Sequence, residues 1–235
     1  MKPNAPNTFL FGIALCLASP WYVEEVNLLD TPDSSSKELH IYVNFTRGHE
    51  FILHDGRLCK CYDTVDKVWQ HLNFFQHQCF LHCRVPRIKL IYGNVVLVSV
   101  SWARIGSGFT ILFEAFCITL IQSEMQVSEV SALLGITAPR IWRIFDYWLS
   151  QATADEDLSE VSHLGIDETS SKKGHKYVTV FVDMDNRNVI DVYACKDSNT
   201  ITNFVEYLES RGGDRNRIEN VCINMSPAFI SGTLF

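Results

Sequence analysis

The sequence predicts an α/β protein in three parts: a β-rich N-terminal region, a short helical segment, and a C-terminal domain mixing strands with one helix. Three observations predict it. Short apolar runs such as "ELHIYVNF" and "VVLVSVSW" recur through residues 1–104 between Gly, Pro and Asn turns. Residues 105–151 place apolar side chains at helical spacing. After an acidic stretch at 152–160 without apolar periodicity, strand-like runs alternate with an amphipathic helix pattern over 161–235.

At 235 residues, with 47% hydrophobic and 20% charged side chains, the chain can bury a sizeable core and does not have a disordered composition. A net charge of −7 excludes a uniformly basic nucleic-acid footprint, yet the charge is uneven. No acid lies between Asp66 and Glu114, while Lys67, Arg84, Arg87, Lys89 and Arg104 do. That window also holds Trp69, Phe74, Phe75, Phe80, Tyr92 and Trp102. It reads either as a surface for phosphates and bases, through residues such as Arg84 and Arg87, or as a core-forming region whose acids lie elsewhere.

Lys2 and the apolar run Phe9–Ala18 imitate a weak signal peptide, but a single charge and Pro20 at the junction speak against one. No run reaches the roughly 18–20 apolar residues of a membrane span. A cytoplasmic protein without a membrane partner is expected. Of the eight cysteines, Cys16, Cys117, Cys195 and Cys222 sit singly in apolar runs, as small core residues do. Cys59, Cys61, Cys79 and Cys83 cluster with His54, His71, His77 and His82. Their C-x-C and C-x-x-x-C spacings differ from the usual C-x-x-C zinc knuckle, so Zn²⁺ ligation and core packing both remain open.

In the middle, "FTILFEAFCITLIQ" reads as an apolar helix with Thr110 as N-cap and Glu114 in its early turns. Val127, Val130, Leu133 and Leu134 then follow helical spacing up to Gly135, where a tight turn is required. Thr137 can cap a further helix with Pro139 in its first turn and Ile141, Ile144, Phe145 and Trp148 on its apolar face. Arg140 and Arg143 fall on the other side, free to face DNA. The pattern is a helix–turn–helix whose second helix would enter the groove; a plain helical hairpin has the same spacing.

In the C-terminal part, "VSHLGID" reads as a strand ending at Asp167. "KYVTVFVDMD" and "NVIDVYACK" pair across the turn "DNRN", "TITNFVEYLESRG" is an amphipathic helix, and "NVCINM" is a strand parallel to the first. Adjacent strand ends can present carboxylates to two divalent ions about 3.5–4 Å apart. Asp167 suits such a site, Asn224 occupies the neighbouring position, and an ordinary strand-end turn would also explain Asp167.

Long motifs add a resemblance. "HLGIDETSSKKGHKYVTVFVDM", "KDSNTITNFVEYL" and "MSPAFISG" resemble bacterial insertion-sequence transposases of the ISL-three family. So do "VWQHLNFFQHQCFLHCRVPRIK", "SWARIGSGFTILFEAF" and "ALLGITAPRIWRIFDYWL", in the same order and over nearly the whole chain. The resemblance implies an N-terminal zinc-binding region over 1–104, here degenerate because "FILHDGRL" and "KLIYG" lack cysteines. It further implies a helix–turn–helix over 105–151, a linker at 152–160, and the first part of a ribonuclease-H-like Asp-Asp-Glu catalytic domain over 161–235. Such transposases bind the terminal inverted repeats of their element, commonly as multimers, and cut and join DNA with Mg²⁺ or Mn²⁺. By this resemblance Asp167 is the first metal ligand, and Lys172, Lys173 and Lys176 are phosphate contacts. Asn224 replaces the second Asp, and the third carboxylate falls beyond Phe235. A C-terminally truncated, inactive transposase is therefore expected; a non-catalytic remnant that still occupies inverted repeats is the alternative.

Overall fold

The computed structural model describes residues 6–31, 37–52, 56–90, 93–172, 176–194 and 198–223, without the side chains of Pro6, 170–172, Lys176 and Ser198. The chain forms two compact units, Met1–Asp146 and Tyr147–Phe235.

In the first unit a sheet runs in the order β1 (Trp21–Asp30), β2 (Lys37–Phe45), β6 (His77–Lys89), β5 (Asp63–Phe74), with β7 (Val95–Leu97) also paired to β6. β2 and β6 are parallel, and the other neighbours are antiparallel. Strict alternation builds the core: Leu39, Ile41 and Val43 on β2 and Cys79, Leu81, Cys83 and Val85 on β6 are buried. Trp69 and Trp102 complete that core edge to face, 5.9 Å apart. A small hairpin, β3 (Glu50–Ile52) with β4 (Leu58–Lys60), stands off the main sheet. The N-terminal apolar run folds as α1 (Pro6–Ala14), which sets Phe11 and, just beyond it, Leu15 and Leu17 against the core. The strand expected across "VVLVSVSW" stops at Leu97, and Trp102 and Ala103 reach the core from a loop instead.

Three helices follow: α2 (Ile111–Gln122), α3 (Val127–Leu134) and α4 (Ala138–Ala152), the last running on into the second unit. Thr110 caps α2, accepting from Phe113 N at 3.3 Å. The stretch before α2 is bound to the edge of β5: Gln70 N donates to Gly108 O at 2.9 Å, and Thr110 N donates to Gln70 O at 3.0 Å.

The second unit holds a sheet in the order β10 (Asn188–Tyr193), β9 (Lys176–Asp183), β8 (His163–Lys172), β11 (Asn220–Ile223). β8–β9 and β9–β10 are antiparallel, whereas β8 and β11 are parallel. The helix α5 (Ser198–Ser210) covers one face, with Phe204 stacked on Phe181 at 3.9 Å and Ile201 and Leu208 buried beside them. The acidic stretch before β8 is not an inert connector. Leu158 is buried in this core, and its N–H donates to Arg211 O at 3.0 Å.

Candidate nucleic-acid interface and carboxylate site

The turn between α3 and α4 is three residues long: Gly135, Ile136 and Thr137. Gly135 has φ +65°, a left-handed conformation that a side chain resists, and a Cβ there would come within 3.1 Å of Gln78 Nε2. Ser131 Oγ closes the turn by donating to Ile136 O at 2.6 Å. Arg140 N donates to Thr137 O at 2.9 Å, which starts α4 where the Thr-Ala-Pro sequence places it. Phe113, Cys117, Val130, Leu134, Ile136, Ile141 and Ile144 are all buried.

The outer side of α4 presents Pro139, Trp142, Arg143 and Asp146, all exposed and spaced i, i+3, i+4, i+7. Trp142 stands out because an indole 49% exposed on a charged helix face is costly unless something covers it. Arg143 reaches outward, with Nε donating to Pro139 O at 3.3 Å. Arg140 departs from expectation. Its guanidinium lies 4.3 Å from the centre of the buried Phe109 ring, half-buried rather than free. Burial, and then the charge of Arg143, lower its pKa.

The basic window divides between core and surface: alternate residues of β6 are buried, while Lys67, Arg84 and Lys89 are exposed. Of its arginines, Arg87 is held in a two-point ion pair by Asp63, with Nε to Oδ1 at 2.7 Å and a shorter Nη2 to Oδ2 contact. Arg84 Nε lies 3.9 Å from Asp66 Oδ1, and Arg104 donates to Glu114 at 2.9 Å. The acids flanking the acid-free window thus fold back onto its arginines. Its two tryptophans are buried; Phe74 and Phe75 remain exposed at the β5–β6 turn.

Among the described residues the cysteines do not converge on a metal site. Cys79 and Cys83 line the core of β6, and burial pushes both thiols up to about 12. Cys61 Sγ donates to Asp63 O at 3.1 Å, and Cys59 sits on β4 across from Phe51. Among the described residues no group of three or more His, Cys, Asp or Glu could hold a metal ion; His54 lies outside them. Zn²⁺ therefore does not fit these residues.

Asp167 is not at a strand end. β8 continues to Lys172, and Asp167 pairs with Val180 in mid-strand, its carboxylate exposed and accepting from Glu168 N at 2.8 Å. Glu168 pairs with Thr179, and strand alternation turns it to the opposite face. The parallel register of β11 on β8 runs to Ile223↔Ile166. The next residue, Asn224, lies outside the described residues, as does Lys173. The backbones of Lys172 and Lys176 are partners in the β8–β9 register. A two-ion centre needs several convergent carboxylates, and the described residues bring Asp167 alone to this point, so they do not fit such a centre.

A helix–turn–helix domain of transposase family ISL3 matches residues 98–149, and the ISL3 DDE transposase family matches residues 164–234. The chain belongs to the ISL3 transposase family. A DDE transposase domain generally uses a divalent metal. The transposase for insertion sequence element IS1001 of Bordetella parapertussis is 26% identical over 213 residues, 89% of this chain and 51% of that protein. The transposase for insertion sequence element IS1557 of Mycobacterium tuberculosis is 26% identical over 157 residues, 65% of this chain and 35% of that protein. This ISL3 chain thus spans about half the length of one curated relative and about a third of the other. Among its described residues no helix is long and apolar enough to cross a membrane.

Proposed function

We propose that this ISL3-family chain binds the terminal inverted repeats of its insertion element by laying α4 in the DNA major groove, and that it does so without cutting the DNA. The exposed stripe Pro139–Trp142–Arg143–Asp146 carries the reading. It lies near the start of the second helix, behind a three-residue glycine turn, where a groove-reading helix presents its contacts. Arg143 suits a phosphate or a guanine edge, Asp146 can accept from a cytosine amine, and Trp142 offers an apolar surface for a thymine methyl. The test is a salt-dependent gel shift on an inverted-repeat duplex. Wild type should bind, and the double variant Trp142→Ala/Arg143→Ala should lose about 100-fold; equal binding by both would remove α4 from the interface.

We read residues 161–235 as the beginning of a ribonuclease-H-like catalytic domain. What supports this is an antiparallel β8–β9–β10 meander, a crossing helix, and a strand parallel to the first. In that reading Asp167 is the first carboxylate, and Asn224 offers an amide where a second would be needed. An amide carries one ligand oxygen and no charge, so it holds a divalent ion more weakly than a carboxylate does. Incubating the chain with an inverted-repeat duplex and Mn²⁺ should yield no nicked strand. Nicking that disappears in Asp167→Ala would overturn this half of the proposal.

A further inference from the structure

Arg140 lies in the helix proposed to read DNA, yet its side chain turns inward. Its guanidinium carbon is 4.3 Å from the Phe109 ring centre, well within the range of a cation–π contact. Phe109 is itself fixed, stacked on Phe113 at 4.7 Å with the two planes 8° apart. The backbone on either side of Phe109 is tied to β5 by hydrogen bonds between Gln70 and the Gly108 and Thr110 peptides. His71 Nδ1 and Thr110 Oγ1, 2.8 Å apart, make a further tie. Gly108 lies beside the guanidinium: a Cβ there would sit in ordinary contact, 3.5 Å from Arg140 Nη2. A second strap joins the same partners, since Gln70 Nε2 donates to Leu134 O at 3.5 Å at the end of α3.

We infer that Arg140 is a positioning residue: its guanidinium clamps α4 to the Phe109 ring, and so fixes the exposed stripe of α4 against the N-terminal sheet, without touching a phosphate. The division of labour between the two arginines follows from their placement. Arg143 is exposed and can meet the DNA backbone, whereas Arg140 has its charge over an aromatic face inside the unit. Groove reading then depends on the sheet through Gln70, His71 and Phe109, not on the helices alone. This rests on the DNA-binding reading above.

Salt dependence separates a phosphate contact from a clamp, because each lost phosphate contact lowers the slope of log K against log salt by about one. The full chain is titrated at several salt concentrations with two probes: a duplex that wild type selects from a randomised pool, and a fixed random-sequence duplex. Arg140→Met should weaken the selected duplex about tenfold, the loss of one cation–π contact, while the salt slope and the random-duplex affinity stay unchanged. Arg140→Lys, which keeps a cation over the ring, should recover most of that loss. Phe109→Leu should reproduce Arg140→Met, and the double variant should be no worse than either. Arg143→Ala should instead weaken both duplexes and flatten the slope. A flattened slope in Arg140→Met, equal weakening of both duplexes, or additive effects with Phe109→Leu would overturn the clamp. If wild type binds neither duplex, the DNA-binding reading falls. The same double-mutant cycle on urea-unfolding midpoints then decides the clamp: coupling sustains it, and additivity overturns it.

Discussion

Arg104 Nε meets Glu114 Oε2 at 2.9 Å, and the Glu114 carboxylate is fully buried. Its other oxygen accepts from Ser107 Oγ at 2.5 Å, and Ser107 Oγ in turn accepts from Phe109 N at 3.0 Å. The glycine-rich loop before α2 is therefore tied to that helix through one acid. Removing one partner of a buried ion pair leaves an uncompensated charge, so Arg104→Ala should destabilise the first unit by about 3 kcal/mol. Glu114→Gln, which keeps the acceptor but not the charge, should cost less. Urea titrations of the two variants give the comparison; equal and negligible losses would show that the pair contributes nothing to stability.

Arg84 and Arg87 differ from Arg143 in having acids across the strand pair. Charge already matched by a carboxylate adds little to a phosphate contact. Arg84→Ala and Arg87→Ala should each change affinity for an inverted-repeat duplex by less than about threefold, against roughly tenfold or more for Arg143→Ala. A large loss in either β6 variant, with its salt slope reduced by about one, would restore the basic window as a DNA surface.

These residues also show what could be read from sequence and what could not. The helix–turn–helix was legible because Gly135, Thr137 and Pro139 each have a local backbone reason to stand where they do. The order of strands in the second unit was legible from alternation and turn residues. The fate of the arginines was not, because pairing depends on register. Once the β5–β6 hairpin folds at Phe75–Gln76, Asp63 falls opposite Arg87 and Asp66 opposite Arg84, although both acids lie outside the acid-free stretch. Marking that hairpin would have revealed the pairs. The contact of Arg140 with Phe109 was not legible for a related reason: helical spacing placed Arg140 away from Ile141 and Ile144, but not relative to Phe109, 31 positions earlier. Asp167 was set at a strand end because the apolar run "VSHLGID" stops there, whereas pairing with β9 carries the strand on to Lys172.

His71 gives the first unit a pH dependence of known sign. Burial lowers its pKa, and it stays neutral beside the Thr110 hydroxyl. A group whose folded pKa is depressed binds its proton first in the unfolded chain. Its contribution is complete above the unfolded value of about 6.5 and is lost as pH falls from there through the folded value. His82 is shifted the same way by burial and by His40. In the second unit, His163 is raised by its hydrogen bond to Asp185, so its contribution is present below about 6.5 and fades as pH rises through the folded value. The urea midpoint of the first unit, followed by tryptophan fluorescence, should drop between pH 7.5 and 5.5. His71→Gln should shrink that drop, and an unchanged drop would assign it to other groups.

The stacked rings of Phe181 and Phe204 hold α5 on its sheet, and both are almost wholly inaccessible. Phe204→Ala should destabilise the second unit by about 3–5 kcal/mol, through lost burial and the cavity left behind. Val192→Ala, on the exposed side of β10, should cost less than about 1 kcal/mol. Denaturation of the two variants in parallel tests whether α5 is seated as described, and similar costs would contradict it.

Asn224 allows the proposed carboxylate site to be probed without any demand for catalysis. The β11–β8 register is described as far as Ile223↔Ile166, and Asn224 and Asp167 follow those two residues in sequence. If the two share one site, Asn224→Asp adds a second negative oxygen donor beside the first. Divalent-ion affinity rises with the number of charged ligands, so Mn²⁺ binding followed by water-proton relaxation should tighten by about tenfold. Placing Asp167→Ala in the same chain should return binding to the wild-type level, because one carboxylate holds such an ion weakly. An Asn224→Asp chain that binds Mn²⁺ no better than wild type would separate the two positions, and with them the proposed replacement of a catalytic carboxylate at 224.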